Sequence, residues 1–132
     1  MRRVVWLSVM AVALVGCSNP EAEQAPEPGV PREYSTVVDL RDAMIEAGYD
    51  CPHWKQTNAV KFSAESGSCS GRDSLSVYAT KRDLARQVDT WREFSAQWAI
   101  SERILVGPNW IINAPKPAEW AEIMGGTVTT AG

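Results

Sequence analysis

His53 is the only histidine in the chain, so a Ser-His-acid or Cys-His mechanism would have to run through it. Its setting, Cys51-Pro52-His53-Trp54, carries no GxSxG elbow and no other nucleophile signature. A zinc or copper ion would find three candidate ligands in Cys51, His53 and Cys69, but closely spaced CxxC and HxxxH pairs are absent. The acidic residues are scattered over predicted helix surfaces and a Pro/Glu-rich segment, whereas a glycosidase needs two facing carboxyls in a cleft. Neither GxxxxGKS/T nor GxGxxG occurs, and Gly125-Gly126 reads as a helix stop rather than a phosphate cradle. The expectation is a chain without enzymatic activity: no catalytic residue, no cofactor and no metal.

Tryptophan is over-represented, with six in the chain. Trp91 and Trp98 stand seven apart on one predicted helix face and are expected in the core. Trp110 begins a predicted strand and Trp120 lies on the last helix, in the core or at its rim. Trp54 falls in a loop, where core packing and exposure are both open. An exposed Trp with a nearby Arg commonly anchors a protein interface. Trp54, Arg72 and Asn109 are therefore the candidate partner-binding patch.

Composition narrows the class further. At 132 residues the chain holds one ordinary domain, too little for a barrel enzyme or a dinucleotide fold with a substrate domain. Thirteen basic against 16 acidic residues give a net charge of −3. That balance argues against a nucleic-acid partner, which needs a basic stripe to offset phosphate.

The N-terminus has the form of an export signal. Met1-Arg2-Arg3 is positive, and Val4 to Val15 carries no charge. That stretch is shorter than the ~20 residues a spanning helix requires, but it has signal-peptide length. It ends in Leu14-Val15-Gly16-Cys17, which resembles the lipobox of small bacterial lipoproteins. The resemblance implies cleavage after Gly16, through the general secretory route, and a diacylglycerol on the sulfur of Cys17. Two acyl chains hold a protein on a membrane without a spanning helix. Loss of Arg2 and Arg3 would leave 11 basic against 16 acidic residues, formally −5. Such a surface is not expected to be drawn to anionic lipid, so attachment is expected to rest on the acyl chains.

With Cys17 acylated, two cysteines remain. Export to an oxidising compartment then predicts a Cys51–Cys69 disulfide, contributing about 3 kcal/mol by restricting the unfolded chain.

Residues 17–34 form the lipidated Cys and a tether; Ser18 to Tyr34 holds four Pro and four Glu and is expected to be disordered. Residues 35–132 are expected to form one domain. Thr36 with Asp39 starts a helix to about Ala47, with Val37, Leu40 and Met44 at helical spacing. Ala59 to Ser63 reads as a short strand, Glu65 to Ser68 as turn chemistry and Ser74 to Ala79 as a half-buried strand. Thr80 and Asp83 open a second helix, whose apolar face runs through Leu84, Val88, Trp91, Phe94 or Ser95, and Trp98. Ile104 to Val106 and Trp110 to Asn113 flank a Gly107-Pro108-Asn109 turn. Pro117 to Met124 is the last helix, with Thr127 to Thr129 available as an edge strand. The order α-β-β-α-β-β-α predicts an α+β fold, an antiparallel sheet of about four strands with its helices on one face.

The spacing of several short motifs also resembles that of lipoproteins and secreted domains of actinobacteria and their phages. The matching pieces are Cys51, Ser66-Gly67-Ser68-Cys69, Leu75-Ser76-Val77-Tyr78, Trp91, Leu105-Val106-Gly107-Pro108-Asn109-Trp110 and Met124-Gly125-Gly126. The resemblance covers most of Cys51 to Val128 and implies a fold and a compartment, with no catalytic residues to transfer.

The expected protein is thus an exported lipoprotein, anchored by lipid to the outer face of the cell membrane, or to an outer membrane if the host has one. It would work as a non-enzymatic binding module. Its partners would be the membrane, through Cys17, and an envelope protein met by the uncovered sheet face or hairpin tips. A concrete form is a phage lipoprotein that blocks infection by other phages. Two alternatives stay open. One is an inhibitor or chaperone of an exported enzyme, inserting its disulfide-bound loop. The other is a lipid or glycolipid carrier, which needs an apolar cavity of about 300 Å³ or more.

Overall fold

The structure, a computed structural model, describes Gly16 and residues 27–130. Most of the expected signal peptide, the expected acylation site Cys17 and the first part of the expected tether lie outside the described residues.

Helix α1 (Val37–Glu46) starts where expected because the Thr36 side chain accepts the Asp39 N–H at 3.1 Å. Its Val37, Leu40 and Met44 are fully buried. Strands β1 (Lys55–Gln56), β2 (Glu65–Ser68) and β3 (Ser74–Val77) follow. Helix α2 (Lys81–Gln97) is capped in the same way by Thr80, whose Oγ1 accepts from the Asp83 N–H and donates to the Asp83 carboxylate. Strands β4 (Arg103–Val106) and β5 (Trp110–Asn113) make a hairpin, helix α3 (Pro117–Met124) begins on a proline, and β6 (Thr127–Thr130) closes the chain order. The six strands form one antiparallel sheet in the order β1-β2-β3-β5-β4-β6.

The α+β class and the antiparallel sheet agree with the sequence reading. Three details differ. The sheet has six strands rather than about four, because the segment around Lys55 and the ESGS segment both pair and Thr127–Thr130 adds an edge strand, while one expected strand is lost. Residues 59–63 form a bend, not a strand: Ser63 N–H and Oγ both donate to the Val60 carbonyl, at 3.2 and 2.9 Å. The strand lies instead at β2, where Ser66 is fully buried. Its Oγ accepts the Val60 N–H at 3.1 Å, and its own N–H bonds the Asn58 side chain at 3.1 Å.

The third difference is that the helices cover both faces. Neighbouring residues of a strand point to opposite sides. Leu75, Val77, Leu105, Trp110 and Ile112 meet Val37, Leu40 and Met44 of α1 and Met124 of α3. Tyr78, Ile104 and Ile111 face the other way and meet Leu84, Val88 and Trp91 of α2. The reason is written in β4 and β5, whose Ile104-Leu105-Val106 and Trp110-Ile111-Ile112 runs are apolar without alternation, the pattern of strands covered on both sides. Each fully buried large side chain here contributes about 1.5–3 kcal/mol.

The domain also begins earlier than Ser35. Residues 27–34, expected at the end of the tether, pack on it. Gly29 N–H bonds the Ile123 carbonyl at 3.0 Å, and Tyr34 is buried in the α1 side of the core.

Candidate functional site

The Cys51–Cys69 disulfide is present, joining residues 18 apart in sequence. Around it the β2–β3 turn is organised by one carboxylate. Asp73 Oδ1 accepts from Ser68 Oγ (2.7 Å), Cys69 N–H (2.8 Å) and Ser70 N–H (3.1 Å), while Oδ2 accepts from the Tyr49 hydroxyl. Burial pushes the Asp73 carboxyl up, but the bonds from Tyr49, Ser68, Ser70 and Cys69 outweigh it and hold it below the ordinary aspartate value. The Tyr49 phenol is pushed above its usual range, by burial first and then by the adjoining Asp73 carboxylate. Tyr49 also packs edge-on against Trp120 at 5.3 Å. The disulfide-bound segment is no projecting loop. It contributes β1 and β2 to the sheet, and the exposed His53 is tied through its N–H to the Cys69 carbonyl at 3.2 Å.

Trp54 is half-buried over Gly67. A Cβ on Gly67 would come within 2.8 Å of the Lys55 carbonyl and closer still to the indole. Arg41 covers the indole from above, its guanidinium carbon 5.2 Å from the ring centre. Trp54 is therefore a packed side chain with a covered face.

Asn109 sits in the β4–β5 turn and is occupied by the N-terminal segment. Its Nδ2 donates to the Tyr34 carbonyl at 2.7 Å, its Oδ1 accepts the Tyr34 N–H at 3.0 Å, and its carbonyl accepts the Tyr78 N–H at 2.8 Å. Beside it Trp110 is fully buried, and its indole N–H donates to the Arg32 carbonyl at 2.8 Å.

The expected patch of Trp54, Arg72 and Asn109 is not assembled. In the β3–β5 register Val77 pairs with Trp110 and Ser74 with Asn113. That places Asn109 at one end of the sheet and Arg72 at the other. Spacing along the chain carries no information about which end of a strand a turn occupies.

A different surface forms at the Arg72 end. The strands are four residues, about 13 Å, while α2 is 17 residues, about 25 Å. The helix overshoots the sheet. Trp91 is half-buried and Ser95 buried, but Phe94 is 54% and Trp98 63% exposed, contrary to the expected core position of Trp98. Their rings lie 6.2 Å apart. A groove of about 470 Å³ lies at the same end of α2, lined by Ser95, Ala96, Ala99, Ile100, Glu102, Arg103 and neighbours but by neither of these rings. It is larger than a lipid carrier's minimum, but its walls are mostly exposed residues at the end of the sheet rather than the space between sheet and helices. A second groove of about 260 Å³ shares Glu102 and Arg103 and adds Arg72, Asn113 and Lys116. Sequence reasoning placed Phe94 or Ser95 on the apolar face of this helix and singled out neither Arg103 nor Lys116. The available signal was the length mismatch between α2 and the strands.

Among the described residues no group of three or more His, Cys, Asp or Glu side chains is arranged to hold a metal ion, and no helix is long and apolar enough to cross a membrane. No protein-family model matches the chain, and neither does any curated protein or solved structure.

Proposed function

We propose that the chain is an exported lipoprotein, anchored through acyl chains on Cys17 and working as a non-enzymatic binding module of the cell envelope. The observation that carries the reading is the distribution of the three cysteines. Cys51 and Cys69 are joined, and such bridges persist in oxidising compartments outside the cytoplasm. Cys17 is left at the end of an uncharged run that follows Arg2-Arg3, in the setting Leu14-Val15-Gly16-Cys17. The side chains of the Asp73 and Asn109 clusters are engaged in holding turns together, which favours binding over catalysis as the role of the domain.

Labelling with a radioactive fatty acid tests the anchor. The parent chain should take up label and sediment with membranes; Cys17→Ala should lose the label and be released. An unlabelled parent, or a mature N-terminus at another residue, would overturn the proposal. Exclusion of a second phage at the envelope is the concrete form of the binding role. Expression in a susceptible host should reduce plating of some phages, and unchanged plating across a wide panel removes that form.

A further inference from the structure

The end of the domain carrying the α2 overhang combines two features that arise independently. One is aromatic: Phe94 and Trp98, more than half exposed, stand beyond the end of the sheet. The other is cationic: Arg72, Arg103 and Lys116 line one groove, with Glu102 as the acid among them. Among the described residues neither Arg72 nor Arg103 enters an ion pair, and Lys116 is held only by an exposed contact to Glu119 at 3.5 Å. In a chain with a net charge of −3, this groove lining holds three cations against the single acid Glu102 and is locally positive. Arg103 lines both this groove and the one bounded by Ser95, Ala96 and Ala99 of α2, the helix end that also carries Phe94 and Trp98, so both features lie at one end of the domain.

We propose that this surface docks on anionic phospholipid headgroups. The aromatic rings suit the boundary between headgroups and acyl chains, and the cations suit the phosphates. The inference builds on the function proposed above, which puts the chain at a membrane through Cys17. The acyl chains would then fix the protein to the membrane and the basic end would fix its orientation.

The test is vesicle co-sedimentation of residues 17–132 carrying Cys17→Ala, which lack both the expected signal peptide and the sulfur to be acylated. Phosphatidylcholine vesicles with and without phosphatidylglycerol are compared. Binding to the anionic vesicles alone, weakened by salt, is expected. Removing all three cations (Arg72→Ala, Arg103→Ala, Lys116→Ala) should weaken it about a hundredfold, at about fivefold per cation. Phe94→Ala with Trp98→Ala should weaken it further. Circular dichroism and Tm confirm that these surface variants fold. Equal binding to both vesicle types, binding to neither, or a triple variant that binds like its parent overturns the inference. Complete competition by inorganic phosphate also overturns it, assigning the groove to a free anion. Fatty-acid labelling of the parent chain is scored separately, so a failed anchor and a failed headgroup surface are distinguishable.

Discussion

The side-chain amide of Asn109 bonds the main chain of Tyr34 twice, donating to its carbonyl at 2.7 Å and accepting its N–H at 3.0 Å. An amide can offer both functions in one plane, as a strand neighbour would. The segment before α1 is thereby fixed to the β4–β5 turn, with the Trp110 indole holding Arg32 next to it. Asn109→Ala leaves both Tyr34 groups without their partner and should lower stability by about 2 kcal/mol. Asn109→Asp keeps an acceptor but loses the donor, and should recover only part of that. Urea midpoints measure the loss, and trypsin cleavage after Arg32 should accelerate in both variants. A midpoint unchanged in Asn109→Ala would show that the segment is held by other contacts.

Asp73 predicts an acid dependence. Its carboxyl lies below the ordinary value in the folded chain and near 3.9, roughly, in the unfolded one. Its contribution is therefore complete above the unfolded value and is lost as pH falls through the folded value. Asp73→Asn should be less stable than the parent at neutral pH, and the difference should shrink as the parent is acidified below about pH 4. Denaturant titrations across that range measure it. A constant difference at all pH values would mean that the carboxylate charge contributes nothing.

Tyr78 gives the alkaline counterpart. Its phenol is almost fully buried, and its pKa is pushed up to about 12, by burial first and against a smaller opposing effect from the Ser76 hydroxyl. A raised value means the contribution is complete below the unfolded value of about 10 and is lost as pH rises through the folded one. Tyr78→Phe should remove that loss, while leaving Ser76 with only its long contact to the Ile111 carbonyl at 3.4 Å. Stability against pH from neutral to alkaline, compared between the two proteins, checks it.

At β2 the side chain matters by its absence. Gly67→Ala places a methyl against the Trp54 indole and the Lys55 carbonyl, where a Cβ has no room. One of them must move, at a cost of about 1–3 kcal/mol. Gly67→Val should cost more. Thermal unfolding gives the loss, and the near-ultraviolet dichroism should change with the displaced indole.

The overhang of α2 separates two tryptophans with the same heptad position. Trp98→Ser should change stability by no more than about 0.5 kcal/mol, as an exposed substitution does. Trp91→Ala should cost about 2 kcal/mol or more, since that side chain is partly buried against the α2 side of the sheet. Equal losses would place Trp98 in the core.

Both long helices were legible because the signals are local. Thr36 with Asp39 and Thr80 with Asp83 cap within one turn, and Pro117 with Gly125 bounds α3 by backbone preference alone. The β4–β5 hairpin was legible for the same reason. β2 was not, because Glu65 to Ser68 has the composition of a turn and becomes a strand only through Trp54, Asn58 and the neighbouring bridge. The separation of Arg72 from Asn109 was not legible, because both are turn residues and nothing near them in sequence tells which end of the sheet each turn occupies.

By themselves the residues determined the helix limits and the α+β class, since caps and periodicity act over short spans. Only the tertiary structure decided that helices flank both faces, that residues 27–34 belong to the domain, and that Trp98 stands clear of the core. The reason is geometric. Those outcomes depend on strand register and on the length of α2 against the width of the sheet, quantities that exist only once distant segments are packed together.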